Sequence, residues 1–216
     1  MSVIWICPRG ICRKSKYILI YLTINKIEMD RYQIKISLKW SKPIIWRRII
    51  VYSGLSLEDF HYVIQTVMPW CDAHLHQFIK DGKYYSVPEE EEWDASGVID
   101  YSEIMISDLI SSEGDKMMYE YDFGDGWRHD ILLEKILKSP DSDPLAEFVD
   151  GKNACPPEDC GGVPGYMHLL EVLHNPQHPD YGNTRNWLGL EEGEEFDPED
   201  MGFDPEEINE ELEGIG

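Results

Sequence analysis

Two short stretches concentrate side chains that could do chemistry. The stretch HLHQF places His74 and His76 two residues apart, and YEYDFGDGWRHD contains Asp122, Asp125 and His129. Residues i and i+2 of a strand share a face, so two imidazoles at this spacing can ligate one metal ion. With His129 as a third nitrogen ligand and a carboxylate nearby, a divalent metal would keep an open position for water, as catalytic sites do. The alternative is that the histidines are partly buried and hydrogen-bonded.

The stretch YEYDFGDGWRHD is predicted to be a β-hairpin. Asp125-Gly126 is a strong signal for a two-residue type I′ turn, which needs positive φ at both positions. In that register Asp122 lies opposite His129 on one face, and the aromatic residues of YEYDF lie on the other. We expect the Asp122 carboxylate to raise the pKa of His129, within a polar pocket that Asp122 and His129 share with His74, His76 and Asp125. The alternative is a plain hairpin with an acidic turn.

The stretch CPPEDCGGVPGY places four residues between Cys155 and Cys160. Structural zinc usually takes a tighter C-x-x-C pair together with a second pair, which is not found here. The proline and glycine content favours a rigid loop, and Cys155 and Cys160 are metal-ligand candidates only as the alternative. Five cysteines, an odd number, do not form a disulfide framework, and they indicate the reducing cytoplasm.

Elements that could position these residues follow from periodicity. YQIKISLKW alternates as a half-buried strand and is followed by IIWRRIIVY as its hairpin partner. SLEDFHYVIQTVM switches to a helical period behind the N-cap Ser56. HLHQFIKDGKYYSV predicts strand, Asp81-Gly82 turn, strand, whereas GYMHLLEVLHN and DPEEINEEL predict helices. The expected fold is α+β: a mostly antiparallel sheet of about six strands, one early helix, and a helical C-terminal third packed on it.

Composition divides the chain into three parts. Residues 1–28 carry five basic residues and one acidic residue, and we predict a non-native or disordered extension, with Met29 as the true start. Residues 29–188 form the single α+β domain. Residues 189–216 contain thirteen acidic and no basic residues, and this tail should hold a short helix docked through Phe196, Phe203, Ile208 and Leu212.

The charge excludes some functions. A net charge of -23 disfavours bulk nucleic-acid binding, which depends on clustered Lys and Arg, although Lys39, Lys42, Arg47 and Arg48 could form a local basic patch. Such acidity favours solubility or a basic protein partner, and a small-molecule partner stays open. No stretch is long and apolar enough for a membrane helix.

Taken together, KPIIWRRI, HLHQF, YEYDFGDGWRHDI, CPPEDCGGVPGY and FDPEEIN resemble the plasmid pRiA open-reading-frame-three-like family, also described as TnpR-like passengers of an insertion element. The resemblance covers residues 30–216. It implies an α+β domain and a link to plasmids and mobile elements, but no established activity. We expect a cytoplasmic binding or accessory module without a cofactor. The alternatives are a metal-dependent hydrolase or nuclease using His74, His76, His129 and Asp122, and a DNA recombination protein.

Overall fold

The computed structural model describes residues 30–87, 97–138, 144–200 and 204–215. In chain order the strands are β1 (Asp30–Leu38), β2 (Trp46–Tyr52), β3 (His76–Lys80), β4 (Lys83–Ser86), β5 (Val98–Asp100), β6 (Lys116–Tyr121), β7 (Trp127–Lys138) and β8 (Ala146–Lys152). The helices are α1 (Leu57–Val67), α2 (Ile106–Leu109), α3 (Gly162–Leu173), α4 (Tyr181–Trp187) and α5 (Pro205–Glu213). The strands form one sheet in the order β5-β4-β3-β6-β7-β1-β2-β8.

The central strands follow the alternation in the sequence. In β1, Ile34 and Ile36 are fully buried, while Gln33 and Lys35, which alternate with them, are half-exposed. Strand β1 pairs with β2 as the predicted hairpin and with β7 on its other side, both antiparallel. One face of the sheet therefore carries the hydrophobic core and the other faces solvent.

Helix α1 covers the core face at the centre of the sheet. Ser56 caps it as predicted, because its hydroxyl accepts a hydrogen bond from the Asp59 backbone N–H at 3.0 Å. The ring of Phe60 stacks on Phe78 of β3 with centroids 5.9 Å apart. This packing places the buried side of α1 over β3 and β6, the strands that carry the candidate site.

The predicted fold class, an α+β fold with a helical C-terminal third on about six mostly antiparallel strands, is wrong. Within the described residues the sheet has eight strands and is mixed, because β4 and β5 run parallel. Strand β5 has three residues, which is too few for alternation to show. Strand β8 lies inside the segment predicted to be helical, and the helices after it have only 12, 7 and 9 residues. The molecule is mainly sheet.

The C-terminal helix α5 lies against the edge strand β8. Asp204 caps it by accepting a hydrogen bond from the Glu206 N–H, and Ile208 and Leu212 are buried. The Asn209 side chain accepts from the Phe148 N–H at 2.7 Å and donates to the Phe148 carbonyl at 3.3 Å. Its amide therefore occupies the place of a neighbouring strand, which is one way to protect an exposed sheet edge.

Some predictions lie outside the described residues: the extension 1–28, the start at Met29, and the docking of Phe203. Phe196 is half-buried against the core. Of the helices in the described ranges, none combines the length and apolar character needed to cross a bilayer.

Candidate functional site

Three segments meet at one end of β3 and β6. They are residues 71–76, which lead into β3; the loop 122–126 between β6 and β7; and the loop 155–161 before α3. Asp122 donates its backbone N–H to the Leu75 carbonyl at 2.9 Å, which joins the first two. Asp125 accepts a hydrogen bond from the Gly161 N–H at 3.1 Å, which joins the second and third. Three motifs that are far apart in the sequence thus form one surface.

The hairpin register differs from the prediction. The loop between β6 and β7 has five residues, with Tyr121 opposite Trp127 and Tyr119 opposite His129. Asp122 has φ 54°, and its Oδ1 accepts hydrogen bonds from the backbone N–H groups of Gly124 and Asp125. The predicted pair of Asp122 with His129 is therefore wrong, because this carboxylate folds its own loop instead of continuing the strand.

Asp122 instead faces His74, and Asp159 completes the group, which we call the His74 site. The Nε2 atom of His74 lies 3.8 Å from Oδ2 of Asp122 and 3.5 Å from Oδ1 of Asp159. The three candidate donor atoms all lie within 4.8 Å of one another. Asp122 is buried, His74 is 29% exposed and Asp159 is 75% exposed, so the group opens to solvent on the side of Asp159.

Glu158 fixes the loop that carries Asp159. It accepts a hydrogen bond from the Tyr121 hydroxyl at 2.5 Å and another from the Cys71 N–H at 3.0 Å. Tyr121 in turn accepts from the Ala73 N–H at 3.0 Å. Burial, together with the hydrogen bond and the negative charge of Glu158, raises the pKa of Tyr121 above its ordinary value. This hydroxyl is therefore a donor to Glu158 throughout the neutral range.

A close backbone approach holds the same loop against residues 122–126. Gly162 has φ 68°, and a Cβ atom there would lie 2.3 Å from the Asp125 carbonyl oxygen. Real Cβ atoms do not come this close, so only glycine fits at this position. The glycine pair that the sequence indicated as loop geometry is thus required by the contact between the loop and the hairpin.

Beside the His74 site lies a hydrogen-bonded network of His61, Gln65, Asp72, His76, Tyr101 and Tyr119, which we call the His61 network; most of it is buried, and Asp72 is at its exposed end. His61 Nδ1 lies 2.7 Å from the Tyr119 hydroxyl, and its Nε2 lies 2.8 Å from Asp72. The Asp72 N–H donates to Gln65 Oε1, and Gln65 Nε2 donates to Tyr119. These contacts form a closed ring of hydrogen bonds behind residues 72–76.

His76 belongs to this network and not to the His74 site. Its ring stacks on His61 with centroids 3.5 Å apart and planes 4° apart, and its Nε2 lies 2.6 Å from the Tyr101 hydroxyl. Burial, and then the adjacent His61, lower the pKa of His76 to about 3. His61, Asp72 and His76 are also spaced for a metal, but His61 Nε2 hydrogen-bonds to Asp72 at 2.8 Å and His76 Nε2 to the Tyr101 hydroxyl at 2.6 Å.

The remaining predicted ligands lie elsewhere. His129 is fully buried and packs edge-on against Trp70, and burial lowers its pKa to about 4, the reverse of the predicted rise. Cys155 contacts the Met68 sulfur and Arg47, and Cys160 lies 3.9 Å from the Gly162 carbonyl. Burial raises the pKa of both thiols, to about 11 and about 12. In the described ranges neither joins a group spaced for a metal.

The sequence reasoning missed Asp159, Glu158 and His61. His61 lies on the apolar stripe of α1 between Phe60 and Ile64, and a histidine on such a stripe is a signal that could have been followed. The adjacent acids Glu158 and Asp159 sit between two prolines and a Cys-Gly-Gly run, where rigid loop geometry presents side chains. That arrangement is visible in the sequence only once the loop is known to face the hairpin.

The chain is similar to known proteins in both sequence and fold. The family model described as plasmid pRiA4b ORF-3-like protein matches residues 30–209. An uncharacterized protein of Sinorhizobium fredii, y4hQ, is 33% identical over 159 residues, which cover 73% of this chain and 80% of the relative. A crystal structure of a protein of unknown function from Methanosarcina mazei superposes with a TM-score of 0.73 at 36% identity, covering 83% of this chain and 98% of that one.

Proposed function

The chain belongs to the plasmid pRiA4b ORF-3-like family, and on that premise we propose that it is a metal-dependent binding module of this family. A divalent transition metal would bind at His74, Asp122 and Asp159. The plasmid in the family description supports an accessory role on plasmids and mobile elements as the setting of this activity.

The observation that carries the proposal is the spacing of the donor atoms. The distances of 3.5 and 3.8 Å from His74 Nε2 to the two carboxylates are too long for good hydrogen bonds. A tetrahedral ion with bonds of about 2.1 Å places neighbouring donor atoms about 3.4 Å apart. The two distances from His74 Nε2 are therefore close to those between neighbouring ligands of a metal ion, which supports the proposal, whereas the His61 network contains direct hydrogen bonds of 2.6 to 2.8 Å.

The donor set also suits a borderline divalent metal. The imidazole is a ligand type that suits zinc and iron, and the two carboxylates are a ligand type that suits manganese. Outer contacts hold the donors, as they do in established metal sites: Asp122 accepts two backbone hydrogen bonds, and Glu158 fixes the loop of Asp159.

Metal binding is tested on the full chain by isothermal titration with Zn²⁺ and Mn²⁺ after chelator treatment. We expect one ion per chain, at least tenfold weaker binding for His74→Ala, and unchanged binding for His168→Ala, an exposed histidine on α3. Thermal melts show whether each variant is folded. Equal affinity of folded His74→Ala and the parent chain would refute the site, as would the absence of binding by the parent chain.

A second candidate function is metal-dependent hydrolysis. It is favoured because three protein donors leave a position open for water, which distinguishes catalytic from structural metal sites. The measurement is hydrolysis of 4-nitrophenyl acetate by the metal-loaded chain, compared with chelator-treated chain and with Asp159→Asn. Rates that do not depend on the metal would leave binding as the function.

A further inference from the structure

We infer that the His74 site takes a neutral or cationic ligand with an apolar group and excludes phosphodiesters and other polyanions. The inference rests on the proposed metal site and adds the chemical class of its ligand. It also separates the two hydrolytic alternatives, because a nuclease would have to accept a phosphodiester at the metal.

The first argument is the charge around the site. The carboxylates of Asp122 and Asp159 would balance one divalent ion. Glu158 and Asp125 stand behind them, and their hydrogen bonds in the described part of the chain come from neutral donors: a tyrosine hydroxyl and backbone N–H groups. The metal-loaded site would therefore keep a local charge near -2, which repels an incoming phosphate.

The second argument concerns the basic side chains. Enzymes that transfer phosphoryl groups stabilise the charge of these groups with nearby Lys or Arg side chains or with several metal ions. Here Arg128 pairs with Glu120 at 2.7 Å and Lys39 with Asp130 at 2.8 Å, whereas Arg47 is fully buried. The residues whose contacts build the His74 site contain neither Lys nor Arg.

The third argument is a pair of exposed apolar side chains on the two segments that carry His74 and Asp122. Leu75 and Phe123 are 55% and 50% exposed, although both are large and apolar. Each directly follows a donor residue in the chain, and the backbone hydrogen bond from Asp122 to Leu75 brings the two segments together. An apolar surface next to a few polar groups is typical of ligand sites, so an apolar ligand group would contact these side chains.

The test uses four hydroxamic acids that bring the same metal-binding group to the Zn²⁺-loaded full chain. Benzohydroxamic acid is neutral in solution, its 4-aminomethyl derivative is cationic, its 4-carboxy derivative is anionic, and acetohydroxamic acid lacks the ring. Each releases its hydroxamic proton to solvent on binding the metal, so the four compounds differ only in the remote group. We expect the cationic compound to bind roughly ten times more tightly than the anionic one. A tenfold ratio corresponds to about 1.4 kcal/mol, which is the order of the Coulomb energy between charges near a protein surface. Acetohydroxamate should bind at least fivefold more weakly than benzohydroxamate.

Two variants assign these differences to residues. Asp125→Asn keeps an oxygen for the Gly161 N–H but removes a charge, so it should narrow the gap between cationic and anionic compounds roughly threefold. Phe123→Ser should remove much of the advantage of the ring, whereas Tyr84→Ser, at another exposed aromatic residue, should not. If Zn²⁺ binds but the anionic compound binds as tightly as the cationic one, or if bis(4-nitrophenyl) phosphate competes, the ligand class is wrong. If Zn²⁺ itself does not bind, the proposed function fails first.

Discussion

Replacing His129 with leucine should make the protein less sensitive to acid. His129 has no exposed surface and packs between Trp70 and Tyr119, with ring centroids 5.3 and 5.6 Å away. Neither ring nitrogen makes a well-formed hydrogen bond to the described residues, and the backbone groups of Tyr119 and Trp127 favour the charged form only weakly. Burial dominates and lowers the pKa of His129 to about 4.

The sign and size follow from the difference between the folded and unfolded pKa. As the pH falls below about 6.5, the unfolded chain binds a proton at His129, while the folded chain does not until the pH approaches 4. Stability from this residue is therefore complete above pH 6.5 and is lost as the pH falls toward 4. The difference between an unfolded pKa of about 6.5 and a folded pKa of about 4 corresponds to roughly 3 to 4 kcal/mol.

The assay is urea unfolding at several pH values between 7.5 and 4.5, for the parent chain and His129→Leu. At pH 7.5 the two should differ by less than about 1.5 kcal/mol, because leucine has a similar volume and leaves no unpaired polar atom. Between pH 7.5 and pH 4.5 the difference in unfolding free energy between the two chains should shift by about 2 to 3 kcal/mol in favour of the variant. The surface variant His168→Leu should follow the parent chain at every pH.

Parallel stability curves for His129→Leu and the parent chain would refute the reasoning. A direct check is an NMR titration of the His129 ring, which should show no protonation above about pH 5. A midpoint near 6.5 would mean that the ring is solvated and the core argument is wrong.

Two further outcomes are expected. Gly162→Ala should lower the free energy of unfolding by at least about 2 kcal/mol more than Gly189→Ala in thermal or urea melts, because both have φ near 69° but only Gly162 faces a backbone oxygen at 2.3 Å. The same variant should weaken Zn²⁺ binding by moving the loop of Asp159. Ile208→Ala should cost about 2 to 4 kcal/mol and the exposed control Ile44→Ala almost nothing, because only Ile208 is buried; equal effects would show that α5 is not docked.

Local signals predicted the elements that they encode. The alternation in β1 and the cap at Ser56 gave a strand and a helix in the right places. The Asp81-Gly82 turn is also confirmed, since β3 and β4 flank it and both residues have positive φ. The sequence did not predict the three-residue strand β5 or the acidic edge strand β8. Pairing with neighbouring strands specifies these two elements, whereas their own periodicity does not.

The candidate site was predicted in part. The sequence pointed to His74 and Asp122, which the structure brings together, and to His76 and His129, which it places elsewhere. The wrong Asp122–His129 pair came from one turn, because a five-residue loop in place of a two-residue turn changed which residues face each other across the hairpin. His76 differs because β3 begins at His76, so His74 lies outside the strand in which the two would share a face. Asp159 was out of reach because it approaches His74 through tertiary packing of a loop 85 residues further along the chain.

The two hydrogen bonds by which Asn209 covers the outer edge of β8 have a consequence for synthesis on the ribosome. Asn209 follows Phe148 by 61 residues, and at translation rates of about 5–20 residues per second this takes roughly 3 to 12 s. During that interval β8 can already pair with β2, while its outer edge still lacks the amide that later covers it. In those seconds, neighbouring nascent chains on one messenger RNA would be most prone to pair through the uncovered edges of their β8 strands. Because α5 is synthesised after β8, the docking of α5 is the step that ends the exposure of this edge.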